Sequence, residues 1–445
     1  MKRSAWRYIW SAQDIRRKLL FTLMILAIFR FVAHVPVPGV NREAIAQIMA
    51  GGSAGGALVS LLDLLSGGTV SQFSVMAMGV YPYITAQIIL QLLVPIVPAL
   101  KKRMEEDPRQ GQKWMEKWTY LLAVPMAALQ AVGQINLFSS FAGTQILDNF
   151  GFSGDALLPS LAIIISMTAG TMFAIWLGEL ISEYGVRNQG LSLIIFSGIV
   201  SQIPQSFLRL MADEQRRWFS LIFLVVMITL TVFVIVVVQQ GRRNVPVMYP
   251  GRRVGNRMSM PVKGTLPLMI NMAGMIPLIF AQSLLTFPAI IASFFASAKT
   301  EWVANFAKSI QMMFGGQGTG YYIMYFIMVV AFTFFYTDVL FSQQNYGENL
   351  KKVGAQIPGV SRGAPTQKYL MKVLRRITLP GALFLGVVAI FPWLISLIVQ
   401  FGSSTNPLLI SSAGLLIVVG VVRDLFFNIE AELKLHGYDD ALLIR

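Results

Sequence analysis

The chain has 445 residues, of which 55% are hydrophobic and only 13% charged, and its formal net charge is +15. That balance is too apolar for an ordinary soluble domain, and the absence of cysteine removes disulfides and thiolate metal sites. The basicity, which alone would invite a nucleic-acid reading, has to be set against where the basic residues fall.

A bilayer core needs roughly 20 apolar residues per helix, and ten stretches qualify: residues 19–35, 74–100, 118–138, 157–180, 191–208, 218–238, 266–287, 321–341, 377–399 and 403–422. The first follows the basic Arg16-Arg17-Lys18, as a secretion signal would. Pro36 and Pro38 come after it with no small-residue cleavage pattern, so it reads as a retained anchor. Residues 51–56 (GGSAGG) form a flexible tether into the mostly apolar 58–65, which Ser66-Gly67-Gly68 ends. So short a stretch cannot span a membrane. It fits a helix on the outer leaflet and a helix folded back into a cavity between spans equally well. Residues 51–55 also match a nucleophile elbow, a pattern that means something only at a strand-to-helix turn with a histidine and a carboxylate in reach.

The second and seventh spans contain prolines (Pro82, Pro95 and Pro98; Pro267 and Pro277), which predicts bent or broken helices whose freed carbonyls face protein or water. The fifth is short. Five spans lie in residues 1–208 and five in 218–422, with an outer hinge loop at 209–217 between them. An odd count per half predicts opposite orientations, an inverted repeat that rests on counting, since no sequence self-similarity joins the halves.

Two connections are long and basic. Residues 239–265 open with the polar stop Gln239-Gln240-Gly241 and carry Arg242, Arg243, Arg252, Arg253, Arg257 and Lys263. Residues 342–376 carry Lys351, Lys352, Arg362, Lys368, Lys372, Arg375 and Arg376. Such charges set topology and touch anionic lipid; loops longer than topology requires point further, to an anionic partner such as RNA or an acidic protein face. Of the 36 Lys and Arg residues, 29 fall in the amino-terminal segment, the loops after spans two, four, six and eight, and the tail 423–445. Six fall in the opposite loops and one, Arg30, within a span. The positive-inside rule then predicts both ends in the cytosol and accounts for the net charge.

Catalytic chemistry finds little support. His34 and His436 are the only histidines, too few for a metal centre, and no phosphate loop or metal-ligand helix appears. Charged residues within or bordering spans are Arg30, Glu179, Asp338 and Arg423; an ion-coupled transporter would hold carboxylates near the midplane. Enzyme activity and a cofactor are not expected, and a ten-span secondary transporter of a small solute stays open.

Four motifs carry a family resemblance in the same order along the chain: 64–68 with 73–84 (FSVMAMGVYPYI), 170–179 (GTMFAIWLGE), 271–280 (NMAGMIPLIF) and 415–420 (LLIVVG). With the length, the spans and the two basic loops, they resemble the SecY family, the central subunits of protein-translocation channels. Two segments depart from its pattern: the turn at 185–190 is one residue longer, and in 358–363 the arginine is displaced by one, to Arg362. The resemblance implies an all-α membrane protein with about ten transmembrane helices in two inverted five-helix halves around an hourglass pore. It puts a pore ring at Val80, Ile84, Leu191, Ile195, Ile279 and Ile417, aliphatics that would otherwise read as core or lipid-facing. It also implies a plug at Leu58, Leu61, Leu62, Leu64, Leu65, Ser66, Gly67 and Gly68, and a lateral gate at Gln91, Asn271 and Phe287, where the two polar residues would hydrogen-bond when shut. Docking of cytosolic partners is expected on Arg242, Arg243, Arg252, Arg253, Lys351, Lys352 and Arg362. The implied partners are SecE-like and SecG-like small membrane subunits, a SecA-type ATPase motor, the ribosome with its RNA, signal peptides and nascent chains, and anionic lipids. The implied location is the cytoplasmic membrane of a prokaryote.

Overall fold

The computed structural model describes residues 12–41, 66, 69–70, 73–142, 146–147, 150–151, 154–187, 189–211, 217–250, 253–254, 257–258, 260, 262–295, 300–314, 319–398 and 412–435. Helices come first in the order α1 (Gln13–Val32), α2 (Tyr81–Ile96), α3 (Pro98–Glu106), α4 (Pro108–Ala142), α5 (Leu157–Tyr184), α6 (Gly190–Met211) and α7 (Arg217–Gln240). Four strands follow, β1 (Arg242–Tyr249), β2 (Arg253–Val254), β3 (Arg257–Met258) and β4 (Val262–Met269). Then come α8 (Ile276–Phe295), α9 (Glu301–Phe314), α10 (Thr319–Gln344), α11 (Tyr346–Lys352), α12 (Ala364–Ile398) and α13 (Ser412–Leu435).

Each predicted span overlaps one of these helices. Among the described residues, five are long and apolar enough to cross a membrane, and the bent pair α2 and α3 makes a sixth. The apolar parts of α6 and α7 are short, Gly190–Ser201 and Val225–Gln240. Charges at Arg16, Arg17 and Lys18 of α1, and at Arg423, Asp424, Glu430 and Glu432 of α13, dilute those two spans. The protein is a helical, multi-pass membrane protein.

Four boundaries differ from the expectation, each for a local reason. In the second span, residues 73–80 are turns and α2 begins at Tyr81. It stops before Val97, which precedes Pro98 and is extended (φ −93°, ψ 110°), because the proline ring disfavours a helical predecessor; α3 then leaves at 94°. In the seventh, the apolar run starting at Leu266 is strand β4, and α8 begins only after Gly274, whose φ is +64°. Residues 342–376 are largely helical, so Lys368, Lys372, Arg375 and Arg376 stand on α12 rather than in a loop. Finally, α13 runs into the expected tail, to Leu435.

The basic connection after α7 is a hairpin. β1 pairs antiparallel with β4 from Arg242↔Met269 to Tyr249↔Val262. Val245, Val247 and Leu268 face a small core with Phe341, Ile357, Leu370 and Leu374. Met248 and Gln356 exchange two backbone hydrogen bonds of 2.8 Å, which tie the hairpin to the connector 353–363. The two long basic connections are thus one structured base under α10 and α12.

Helix packing in lipid relies on small residues that let backbones approach. A Cβ on Gly190 would sit 1.7 Å from the Gly178 carbonyl oxygen, and one on Gly133 would sit 2.2 Å from Ile290 Cγ2. The main buried cluster draws side chains from α1, α2, α5, α6, α7, α8, α10, α12 and α13. At one end of the bundle Ile15 packs with Ile429 and Leu433, Lys18 pairs with Glu432, and Asn428 donates to the Arg187 carbonyl at 3.2 Å. The start of α1, the end of α13 and the turn after α5 therefore share a side.

Candidate functional site

Residues 73–80 are buried as turns because other backbones clamp them. Phe73 (φ +43°) and Gly79 (φ +49°) take left-handed conformations, and a Cβ on Gly79 would lie 2.3 Å from the Ser66 carbonyl oxygen. Thr69 Oγ1 donates to the Met76 carbonyl at 2.6 Å. This pinned entry sets Val80 at the N-cap and Ile84 in the first turn of α2, both within the main buried cluster.

Five of the six expected ring residues belong to that cluster: Val80, Ile84, Ile195, Ile279 and Ile417, none more than 7% exposed. Leu191 packs against it from the side, its Cδ2 close to Gly178 of α5. Four helices, α2, α6, α8 and α13, contribute these aliphatics. Ile88, Ile199, Leu278 and Val421 complete the surroundings.

Of the expected plug, Ser66 is described: it is 2% exposed and packed on Gly79. Leu58, Leu61, Leu62, Leu64, Leu65, Gly67 and Gly68 lie outside the described residues.

The expected gate residues are not joined as anticipated. Asn271 Nδ2 donates to the Gly274 carbonyl at 3.1 Å, holding the turn into α8, while Asn271 Oδ1 and Gln91 Oε1 are buried without a partner. Asn271 sits before α8, and its short side chain is used locally. Phe287 is half-buried, just before Pro288 within α8. The seam between α2 and α4 on one side and α8 on the other is closed by different polar groups. Tyr81 donates its hydroxyl to the Ser283 carbonyl at 3.0 Å, and Ser293 Oγ lies 3.2 Å from the Gly133 carbonyl oxygen. Gln130 of α4 donates to Thr85 of α2 at 3.2 Å. A scan of spans for charged residues passes over these; the legible signal is the recurrence of uncharged polar residues (Thr85, Gln130, Gln134, Gln282, Ser283, Thr286, Ser293) in otherwise apolar runs, all of them buried.

Of the expected docking residues, Arg242 and Arg243 are exposed on β1, Lys351 and Lys352 are exposed at the end of α11, and Arg362 is exposed before α12. Arg253 stands on β2, and Arg252 lies outside the described residues. The Met248–Gln356 bridge brings the hairpin and the 351–362 segment together on one base. Among the described residues, no group of three or more His, Asp or Glu side chains could hold a metal ion.

The SecY family profile matches residues 74–426. The chain belongs to the SecY family. It is 34% identical to the protein translocase subunit SecY of Streptomyces galbus over 99% of both chains. It is 37% identical to the same subunit of Chlamydia muridarum, covering 98% of this chain and 97% of that one, and 36% identical to that of Aquifex aeolicus over 96% of each. Among solved structures, one described as a protein-conducting channel superposes with a TM-score of 0.62 at 18% identity, covering 96% of this chain and 95% of the other. A second, of a SecY whose plug domain was studied, gives 0.60 at 18% identity over the same shares. At that identity the structural match speaks for the fold.

Proposed function

We propose that this SecY-family chain is a protein-conducting channel, which passes unfolded secretory polypeptides across the membrane and releases hydrophobic segments sideways into lipid. One observation supports it above the others: aliphatic side chains from α2, α6, α8 and α13 meet in a single buried cluster. Branched apolar groups converging from separate helices make a constriction that wets poorly. An ion there would lose its hydration without gaining ligands, whereas a flexible ring of Val, Leu and Ile can deform around a passing side chain.

Sideways release works at the seam of α8 with α2 and α4. Interhelical polar contacts within membranes are worth about 0.6 kcal/mol each, so the Tyr81–Ser283 and Ser293–Gly133 contacts hold it weakly. Burying one large apolar side chain is worth about 1.5–3 kcal/mol, and a signal segment carries about 7–15 apolar residues. Partitioning of such a segment into lipid outweighs the seam's polar contacts.

The remaining assignments follow from this reading. The halves 1–208 and 218–422 hinge at 209–217, and the plug at 58–68 fills the outer funnel at rest. Both termini lie on the cytosolic side of a prokaryotic cytoplasmic membrane, consistent with α1 and α13 meeting at one end of the bundle. The basic base docks a translating ribosome or a SecA-type motor, which supplies the energy, and SecE-like and SecG-like subunits pack alongside. The solute-transporter reading gains nothing: Glu179 accepts from Tyr120, Asp338 pairs with Arg375 and Arg423 pairs with Asp424. In a stalled secretory chain carrying a photo-crosslinker, adducts are expected to probes at both Ile84 and Ile417. Adducts confined to exposed positions such as Ile165 of α5 and Val226 of α7 would overturn the reading.

A further inference from the structure

A groove opens between α10, α11 and the start of α12, with a volume of about 950 Å³. Its floor is apolar, built by Phe334, Met371 and Leu379, and its rim carries Lys368, Lys372, Arg375 and Arg376 against the single acid Glu348. Arg375 is engaged: its Nη2 lies 2.7 Å and its Nε 3.2 Å from Asp338 Oδ2, a fork that anchors α12 to α10. Lys368, Lys372 and Arg376 are exposed and carry no ion pair within the described residues. Counting Arg375 with Asp338 as neutral and setting Glu348 against the three leaves a net charge of two positive units in the groove.

The position of these charges along α12 identifies what they face. Lys368, Lys372 and Arg376 follow one another at four-residue steps, so they share a helix face. The same face continues into Leu379, Leu383 and Val387, each 44–50% exposed. Both α10 and α12 are among the helices long and apolar enough to cross a bilayer. At 1.5 Å per residue, Arg376 to Val387 covers about 16 Å, close to one leaflet's share of a roughly 30 Å hydrocarbon core. A cationic rim followed by an exposed apolar stripe of that depth matches a phospholipid, with its phosphate at the rim and its acyl chains along the stripe. A soluble acidic protein or RNA could reach the cations but would leave the stripe unused.

We infer that the groove between α10 and α12 is a binding site for an anionic phospholipid, whose phosphate is held by Lys368, Lys372 and Arg376. Basic pockets between transmembrane helices are the setting in which such headgroups are held, and the Arg375–Asp338 fork keeps the wall in place without consuming the other three cations. Only the crossing of the bilayer by α10 and α12 is required, so failure here leaves the channel reading standing.

The test is native mass spectrometry of the full-length chain in nonionic detergent, titrated with dioleoyl phosphatidylglycerol or dioleoyl phosphatidylcholine. The wild type is expected to retain phosphatidylglycerol preferentially. Each cation beside an anionic lipid is worth about fivefold in affinity, so Lys368→Gln/Lys372→Gln/Arg376→Gln together should lose roughly a hundredfold for phosphatidylglycerol. Phosphatidylcholine retention should not change. Lys372→Gln alone, a single exposed change that leaves folding intact, should lose about fivefold, and Lys308→Gln, which removes a cation on α9, should lose nothing. Equal retention of phosphatidylglycerol by the wild type and both groove variants would overturn the assignment. So would displacement of the lipid by excess inorganic phosphate, which would make the groove a site for the free anion. Loss of ribosome binding in the triple variant with lipid retention unchanged would give the patch to a cytosolic partner and equally overturn it.

Discussion

Ile417 is 1% exposed on α13 and sits between Leu416 and Val421, which are as deeply buried. An asparagine there would place an unpaired amide in the aliphatic cluster, at a cost of about 1–3 kcal/mol that entering water relieves. Ile417→Asn is therefore expected to raise resting ion conductance several-fold in planar bilayers; an unchanged conductance would remove Ile417 from the constriction. The spacing of Val80 with Ile84 and of Leu191 with Ile195 shows only that each pair shares a helix face. Their assignment came from the family resemblance, because an isoleucine facing lipid and one facing a pore look alike in a sequence. Asn271 makes the converse point. Its type was legible as polar in an apolar run, but its partner is the nearby Gly274 carbonyl, since a local turn satisfied the donor before Gln91 could.

The seam between α4 and α8 lets one element be locked to another. A Cβ on Gly133 would lie 3.5 Å from Ile290 Cβ, at the short end of the roughly 3.5–4.5 Å that a disulfide requires. The branch that crowds this contact, Ile290 Cγ2, is absent from cysteine. The chain has no cysteine of its own, so Gly133→Cys/Ile290→Cys creates a unique pair. A disulfide is worth about 2–4 kcal/mol, several times the Tyr81–Ser283 hydrogen bond across the seam at about 0.6 kcal/mol. The oxidised variant is expected to lose more than about tenfold of its signal-segment insertion and to regain it on reduction. Insertion that persists after oxidation, with the crosslink verified by mass, would move the gate elsewhere. At this scale the apolar cores of the helices were plain from the sequence, and their ends were not. Helices α12 and α13 extend well beyond the apolar run because hydropathy marks where lipid is, not where the backbone stops being helical. In the hairpin, burial alternates, with Val245 and Val247 inward and Asn244, Pro246 and Met248 outward, a period-two pattern that a search for membrane-length runs overlooks.

For the molecule as a whole, charge asymmetry is the property with a measurable consequence. Reversing Arg242, Arg243 and Arg362 to glutamate is expected to weaken ribosome cosedimentation by more than about tenfold at low salt. The difference should fade towards 1 M salt, where the screening length is about 3 Å. Unaltered binding at low salt would take the docking role from this base. The sequence by itself determined the class and the order of the apolar helices, because burial in lipid acts on each segment separately. Only the tertiary structure decided that the two long basic connections form one base, that Tyr81 rather than Asn271 bridges the seam, and that three cations on α12 with no ion pair among the described residues stand directly above an exposed apolar stripe. Those are contacts between segments far apart in the chain. They depend on close backbone approach at residues such as Gly133 and Gly190, and on which polar groups are left without a local partner.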